Sequence, residues 1–392
     1  MKWPEVPLDK LGTFIAGVAF SPSLQGRVGL AIPFAKVGDI SIAARVHGGE
    51  LRQVRNSVAA SDLSQIAGRL VPPQSIVFAK IGEAIKLNHR AVTVSETLID
   101  NNAMAFVPET SQLTFRYALH VFGRLDFYSL ADKTTVPSIR KSRLEAILIP
   151  LPPLDEQRRI AAILDKADTL RAKRRAAIAK LESLTQSIFL DMFGDPTSNP
   201  KGWKTTLMGE QLRSLHYGPR FYNEKYTPDG IRTVRITDLQ DDGTLRFEIM
   251  PRMTLPDTDV GKYKAVPGDI LLARSGATVG KTAVINESDP PCVPGAYFLV
   301  LRFSEQLDPR YCRAVLSRPS TRAVVNSRSR QAAQQNFSGP ALRELSMPLP
   351  PMDLQRRFAA LLVTIGNQRT QLLRSGCVLD SLDVSLKHKF FM

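Results

Sequence analysis

Hydrophobic and polar positions recur along this chain at one long interval. Residues 150–164 read PLPPLDEQRRIAAIL and residues 348–362 read PLPPMDLQRRFAALL, with eleven of fifteen positions identical at an offset of 198. A period near half the chain length means duplication, because solenoid repeats are far shorter. The pairing extends weakly outward: Leu144 with Leu342, Leu181 with Leu379, Ser183 with Ser381, Leu184 with Leu382, Phe193 with Phe391. Trp3 and Trp203 open the two halves in similar surroundings.

A seven-residue hydrophobic period follows each Pro-rich hinge, Pro150 to Pro153 and Pro348 to Pro351. Its first series is Ile160, Ala167, Arg174, Leu181, Ile188 in one copy and Phe358, Ile365, Leu372, Leu379, Leu386 in the other. The companion series, taken three residues on, is Ile163, Leu170, Ala177, Leu184, Asp191 and Leu361, Gln368, Ser375, Leu382, Lys389. No proline interrupts 154–192 or 352–391. Proline is tolerated at a helix start, and Asp155 and Glu156 suit a helix N-terminus. The pattern predicts two helices of about 38 residues, ~57 Å each at ~1.5 Å per residue. Sustained heptads argue for a coiled coil, and isolated helices of this kind are marginal, so the two most simply pack on each other. Two ordinary core helices are the alternative, against which their length counts. Arg174, Gln368 and Ser375 either set the register or face other helices.

The remaining segments carry Gly and Pro punctuation and short β-branched runs: Ile76 to Phe78, Ala91 to Val94, Ile270 to Leu272, Phe298 to Leu301. Residues 308–327 read as a helix closing the second half, with 114–130 as its counterpart. The expected fold is α+β: two globular domains, 1–149 and 194–347, separated by two long antiparallel coiled-coil helices, 150–193 and 348–392, in an internal pseudo-twofold repeat.

Composition narrows the class. With 392 residues and 43% hydrophobic content the chain can fill real cores, which excludes wholesale disorder. No apolar run approaches the length of a membrane span, and Leu11 to Gly26, preceded by Glu5, Asp9 and Lys10, makes a poor signal peptide. Cys292, Cys312 and Cys377 form no C-x-x-C pair, and the five histidines have no ligand-like spacing. A cytoplasmic protein without disulfides, metal or cofactor is expected. The net charge of +15 favours an anionic partner, and both globular segments are basic. Arginine outnumbers lysine 34 to 18, which suits phosphate and guanine recognition or reflects codon bias.

The sharpest basic cluster is Arg310, Arg313, Arg318, Arg322, Arg328 and Arg330, followed by Gln331, Gln334, Gln335 and Asn336. Arg with Gln and Asn is the repertoire for phosphate, guanine and adenine contacts, and also that of a solvated helix face with a polar loop. A second group is Tyr217, Arg220, Tyr222, Arg232 and Arg235. The first half offers Lys36, Arg45, His47, Arg52, Arg55, His89, Arg90, Lys133 and Thr134.

Catalytic fragments fail on spacing. Ser275 to Thr282, SGATVGKT, lacks the glycine a phosphate-binding loop needs where Ser275 stands, and reads as strand-turn-strand. Asp289-Pro290-Pro291-Cys292 lacks the aromatic residue that stacks a flipped base. The chain has no [Asp/Glu]-x-Lys tripeptide for a metal-dependent nuclease, and His47-Gly48-Gly49-Glu50 has no accompanying G-x-S-x-G.

The paired PLPP-[LM]-D-x-Q-R-R motifs, each opening a long heptad helix, resemble the specificity subunits of type I restriction-modification systems. So do Val266 to Gly276 with Val279-Gly280-Lys281, and Thr237-Asp238-Leu239. The first half departs from that pattern, with Gln74-Ser75 in place of Gly268-Asp269 and Ala79-Lys80-Ile81-Gly82 in place of Ala273 to Gly276. The resemblance implies a non-catalytic, sequence-specific DNA-binding subunit whose two target-recognition domains each read one half of a bipartite duplex. It adds Arg274 and Lys281 to the DNA-binding candidates. It also implies two adenine-methylating modification subunits and ATP-dependent restriction subunits as partners. Gln157, Arg158, Arg159, Gln355, Arg356 and Arg357 are the partner-subunit candidates, since they recur in both copies. Two rival readings remain: the recognition part of a split methyltransferase or nuclease, and a coiled-coil scaffold that binds no DNA.

Overall fold

The computed structural model describes residues 3–66, 68–132, 134–220, 225–329 and 336–391. Contacts divide the chain into two units, Met1–Arg174 with Ser375–Met392, and Arg175–Arg374. Each unit holds one α+β domain and a part of both long helices.

In the first unit a five-stranded sheet runs in the order Gly12–Ala16, Ala103–Pro108, Ile76–Ala79, Arg90–Thr93, Glu50–Leu51. In the second a four-stranded sheet runs Leu212–Tyr217, Phe298–Phe303, Ile270–Ala273, Thr282–Val284. The apolar runs read from the sequence are thus the inner strands. Ile76 and Phe78 face one core while Val77 faces another, and Ile270 and Leu272 divide from Leu271 and Ala273 in the same way. This is the period of two expected of a strand buried on both faces. A smaller sheet covers the second face in each unit, with one parallel pairing: Ile32–Ala35 on Leu98–Ile99, and Ile231–Val234 on Cys292–Pro294.

The segment expected to be one closing helix is two, Pro309–Ser317 and Pro319–Ser329. Pro319 forces Arg318 into an extended conformation (ψ 140°) and breaks the helix there. Its counterpart breaks at Leu125, giving Phe115–Arg124 and Phe127–Leu130.

Both long helices are unbroken, Leu154–Phe193 and Met352–Phe391, 40 residues each. Their pairing is antiparallel. In the first unit Arg174 reaches Asp380 (3.6 Å), and Leu386 and Phe390 near the end of the second helix join the core that holds Ile160 and Leu164 near the start of the first. In the second unit Arg369 reaches Glu182 (3.6 Å), and Phe358 packs on Phe189 and Phe193.

The first predicted heptad series faces inward in both helices; the companion series does so only at Ile163 and Ala177. Leu170, Leu184, Leu361 and Leu382 are exposed. The inward companions lie four residues on: Leu164, Arg171, Ile178, Thr185 and Met192, and Leu362, Arg369, Gly376 and Phe390. Arginines occupy seam positions because their aliphatic stems cover the partner helix while the guanidinium reaches a carboxylate. A Cβ on Gly376 would lie 2.6 Å from the Arg174 guanidinium carbon, so glycine makes its room.

The hinges repeat nearly atom for atom. Glu5–Pro7 pairs with Leu148–Pro150, and Thr205–Leu207 with Ser346–Pro348. The buried Tyr117 donates its hydroxyl to the Pro150 carbonyl (2.7 Å), and the buried Tyr311 donates to that of Pro348 (3.0 Å). Gln157 accepts from the Thr114 amide (2.8 Å) and donates to the carbonyls of Gln112 and Pro152 (2.9 Å each). Gln355 accepts from the Asp308 amide (2.9 Å) and donates to the carbonyls of Gln306 (3.3 Å) and Pro350 (2.8 Å). Both glutamines are fully buried. Their assignment to a partner surface is therefore corrected: they recur because each satisfies the backbone where domain meets helix.

Candidate nucleic-acid interface

Three strand ends build one site in each domain. In the second, Tyr217 ends its strand opposite Leu299, and Ala273, just before Arg274, pairs with Phe298, just after Tyr297. The Arg274 amide donates to the Tyr297 carbonyl (2.9 Å), and Ser275 forms a bridge with Asn336. The Arg274 guanidinium stacks on the Tyr217 ring (4.6 Å), and its Nε donates to the Asn336 side-chain oxygen (3.2 Å). The Tyr217 hydroxyl accepts from the Gly339 amide (3.1 Å). Tyr297 is 61% exposed. Arginine and tyrosine thus brace each other beside an amide and an exposed ring, and among the described residues the Arg274 guanidinium donates to Asn336 alone.

The first domain repeats the backbone of this site. The Lys80 amide donates to the Asn102 carbonyl (2.8 Å), and Ile139 donates to the Lys80 carbonyl (2.8 Å) as Phe337 does to that of Arg274 (2.7 Å). Ile81 bridges Ser138. Gly17 and Gly218 are equivalent, donating to Ala103 and Phe298, and a Cβ on either would collide with backbone carbonyls. Ala16, Lys80, Asn102 and Ser138 therefore stand where Tyr217, Arg274, Tyr297 and Asn336 stand. The sequence reading passed over Lys80, Asn102 and Tyr297. The signal for Lys80 was present, since AKIG aligns with ARSG.

The other DNA candidates scatter. Arg90 is structural: it donates to the carbonyls of Asn88 (2.7 Å) and Leu125, lies on the Phe127 ring, and burial pushes its pKa down to about 10. It is withdrawn as a DNA contact. Lys36 begins the helix Val37–Val46, donates to Gln25 (2.8 Å) and sits over the Phe20 ring. Arg45 and Arg52 are exposed, Arg52 pairing with Glu50, while Arg55 pairs with the buried Asp39 (2.9 Å). Thr134 turns onto the Val136 carbonyl. Arg220 is exposed next to the Tyr217 strand. Arg235 forks onto the buried Asp238 (2.8 and 3.1 Å), and Lys281 pairs with Asp241 (2.6 Å). Arg328 donates to the Ala341 carbonyl (3.2 Å). Lys133, Tyr222, Arg330, Gln331 and Gln335 lie outside the described residues.

The arginine cluster on 310–330 divides likewise. Arg313 is turned inward onto the carbonyls of Asp242 and Thr282, Arg310 donates to Asn286 (3.2 Å), and Arg318 lies over the Phe189 ring. Arg158 and Arg159 are exposed and paired with Asp155 and Glu156; Arg356 and Arg357 are exposed. SGATVGKT forms a turn between the antiparallel strands Ile270–Ala273 and Thr282–Val284. Cys292 and Cys312 are buried free thiols. Among the described residues, no three His, Cys, Asp or Glu are placed to hold a metal ion, and no helix is long and apolar enough to cross a membrane.

The geometry defines a duplicated protein: two α+β domains, each joined by the same hinge to paired long helices. Residues 3–182 match the family described as type I restriction modification DNA specificity domain. The MjaVIII type I specificity subunit of Methanocaldococcus jannaschii is 26% identical over 271 residues, covering 62% of this chain and 63% of that protein. The EcoBI specificity subunit of Escherichia coli is 20% identical across 99% of this chain and 85% of its own. The crystal structure of the type I system S subunit from M. genitalium shares the fold, with a TM-score of 0.62 at 14% identity over 100% of this chain and 96% of that one. The chain is thus similar to type I restriction-modification specificity subunits, through that family model over residues 3–182 and through these relatives over 62% and 99% of its length.

Proposed function

We propose that this chain is the sequence-reading, non-catalytic subunit of a cytoplasmic type I restriction-modification complex. Residues 1–149 and 194–347 each recognise one half of a bipartite duplex target, and 150–193 and 348–392 hold them. The carrying observation is that two basic domains place a cation, Lys80 or Arg274, at the same strand end, beside Asn102 and Ser138 in the first and beside Tyr217, Tyr297 and Asn336 in the second. Arginine and lysine on phosphates fix register, and side chains in the major groove read base edges.

The long helices recruit two modification subunits, which methylate adenine, and through them the ATP-driven restriction subunits. Arg158, Arg159, Arg356 and Arg357 are exposed and offset-matched, so two equivalent docking surfaces are expected. A co-purification ratio of two modification subunits per chain supports this; any other ratio counts against it.

Mapping methylated adenines in cells with and without this chain tests the function. A bipartite motif that disappears with the chain supports it. A purified chain that itself methylates or cuts DNA would favour the split-enzyme reading; steep salt-dependent DNA affinity excludes the scaffold, and no DNA affinity at low salt would favour it.

A further inference from the structure

The equivalence of the two strand-end sites carries a division of labour. Two half-sites of different sequence share one feature, the phosphate backbone. A position that keeps its chemistry across the duplication suits the shared feature, and a position that changes suits what differs. Lys80 and Arg274 are equivalent and both cationic; Asn102 and Tyr297 are equivalent and unlike. We propose that Lys80 and Arg274 hold phosphate, while Asn102 reads a base in the first half-site and Tyr297 reads a base in the second.

The inference rests on the bipartite-recognition reading above and adds the residues that set it. The local geometry agrees. Arg274 is braced by Tyr217 and Asn336, which fixes a charge in one place, as a register contact requires. Lys80 has Ala16 in place of that aromatic shelf, so its flexible ammonium reaches its anion as a point charge. Asn102 spends its backbone on the turn, its carbonyl accepting from Lys80 and Ile81, and its amide side chain is left to pair with a base edge; asparagine pairs bidentately with adenine. Tyr297 spends its carbonyl on Arg274 and presents an exposed ring and one hydroxyl, suited to stacking or to a thymine methyl.

The test is selection of bound duplexes from a randomised pool by the full-length chain and four variants, with a salt titration of each. Asn102→Ala relaxes one position of the first half-site, by roughly ten- to hundredfold in discrimination, and leaves the second half-site intact. Tyr297→Ala does the reverse. Lys80→Ala and Arg274→Lys leave the selected sequence unchanged, and Lys80→Ala weakens binding to all duplexes while lowering the salt slope by about one. The isosteric Asn102→Asp repeats the test if the alanine variant misfolds. Selection of the unaltered sequence by both Asn102 variants and by Tyr297→Ala overturns the assignment of readers, and a changed base preference in Arg274→Lys overturns the assignment of anchors. If the unmodified chain selects no bipartite sequence, the underlying reading falls with it.

Discussion

The two halves of this molecule agree most closely at their hinges and least at the strand ends that carry Lys80 and Arg274. At the hinges, Gln157 and Gln355 make the same three bonds and Tyr117 and Tyr311 the same one. At the strand ends, alanine faces tyrosine, asparagine faces tyrosine and serine faces asparagine across the repeat. Backbone satisfaction at a hinge is the same problem in both copies and has one solution. Under the proposed function each copy meets a different half-site, which accounts for side chains that diverge on a shared backbone. The two halves also tie domain to helix through different groups: in the second, Arg369 reaches Asp242 of the domain (2.8 Å) as well as Glu182, while in the first His120 of the domain bonds Asp165 of the helix (2.9 Å) and Arg174 reaches across the helix pair to Asp380.

The largest effect expected from this comparison is in the aromatic knot of the second hinge, where Phe358 meets Phe189 and Phe193, and both of these meet Tyr311. Phe358→Ala should cost about 3–5 kcal/mol in urea unfolding, and Ile160→Ala, its counterpart, less, within about 2–5 kcal/mol. A costlier Ile160→Ala would invert the comparison. Gln157→Ala and Gln355→Ala each strand buried backbone groups and should cost about 2–3 kcal/mol. Matching losses are expected; a difference beyond ~1 kcal/mol would show that the hinges are not energetically equivalent.

Smaller effects separate the two helix latches. Arg369→Met leaves Asp242 without its ion pair and should cost about 1–2 kcal/mol. Arg174→Met faces the exposed Asp380 and should cost below about 1 kcal/mol. Unfolding of each variant at low and high salt checks both values, and equal losses would remove the asymmetry. The smallest effect is in pH. Burial holds the His216 pKa below its ordinary value, with Arg302 adding to the shift and Asp269 opposing it; His89 is lowered by burial, with Arg45 and Arg90 adding. The unfolded chain then binds protons first, so stability falls as pH drops below about 6.5, the ordinary histidine value. His216→Gln should flatten that fall; an unchanged slope would assign it elsewhere.

Much of the fold was legible because duplication and apolar runs are properties of the chain alone. The hinge motif, the inner strands and the first heptad series all stand where the pattern put them. The companion series slipped by one residue because Leu170, Leu184, Leu361 and Leu382 look like a seam, whereas the true seam holds Arg171, Thr185, Arg369 and Gly376. Polarity misleads where an arginine stem does the packing. The candidate site was harder, since its residues come from separate strand ends, Arg274 lying 57 positions from Tyr217 and 62 from Asn336, joined by register. Arg90 and Gln157 were misread for a related reason: sequence shows which groups can bind an anion or a partner, but not which are already occupied by the backbone.

The central claim is that paired helices hold two independent readers, and helix length should therefore act on spacing alone. Inserting one heptad after Ala177 and another after Ser375 adds about 10 Å to each helix, or about three base pairs. Mapping methylated adenines with this variant should return both half-sites unchanged and a longer spacer. An altered half-site with an unchanged spacer would contradict the account.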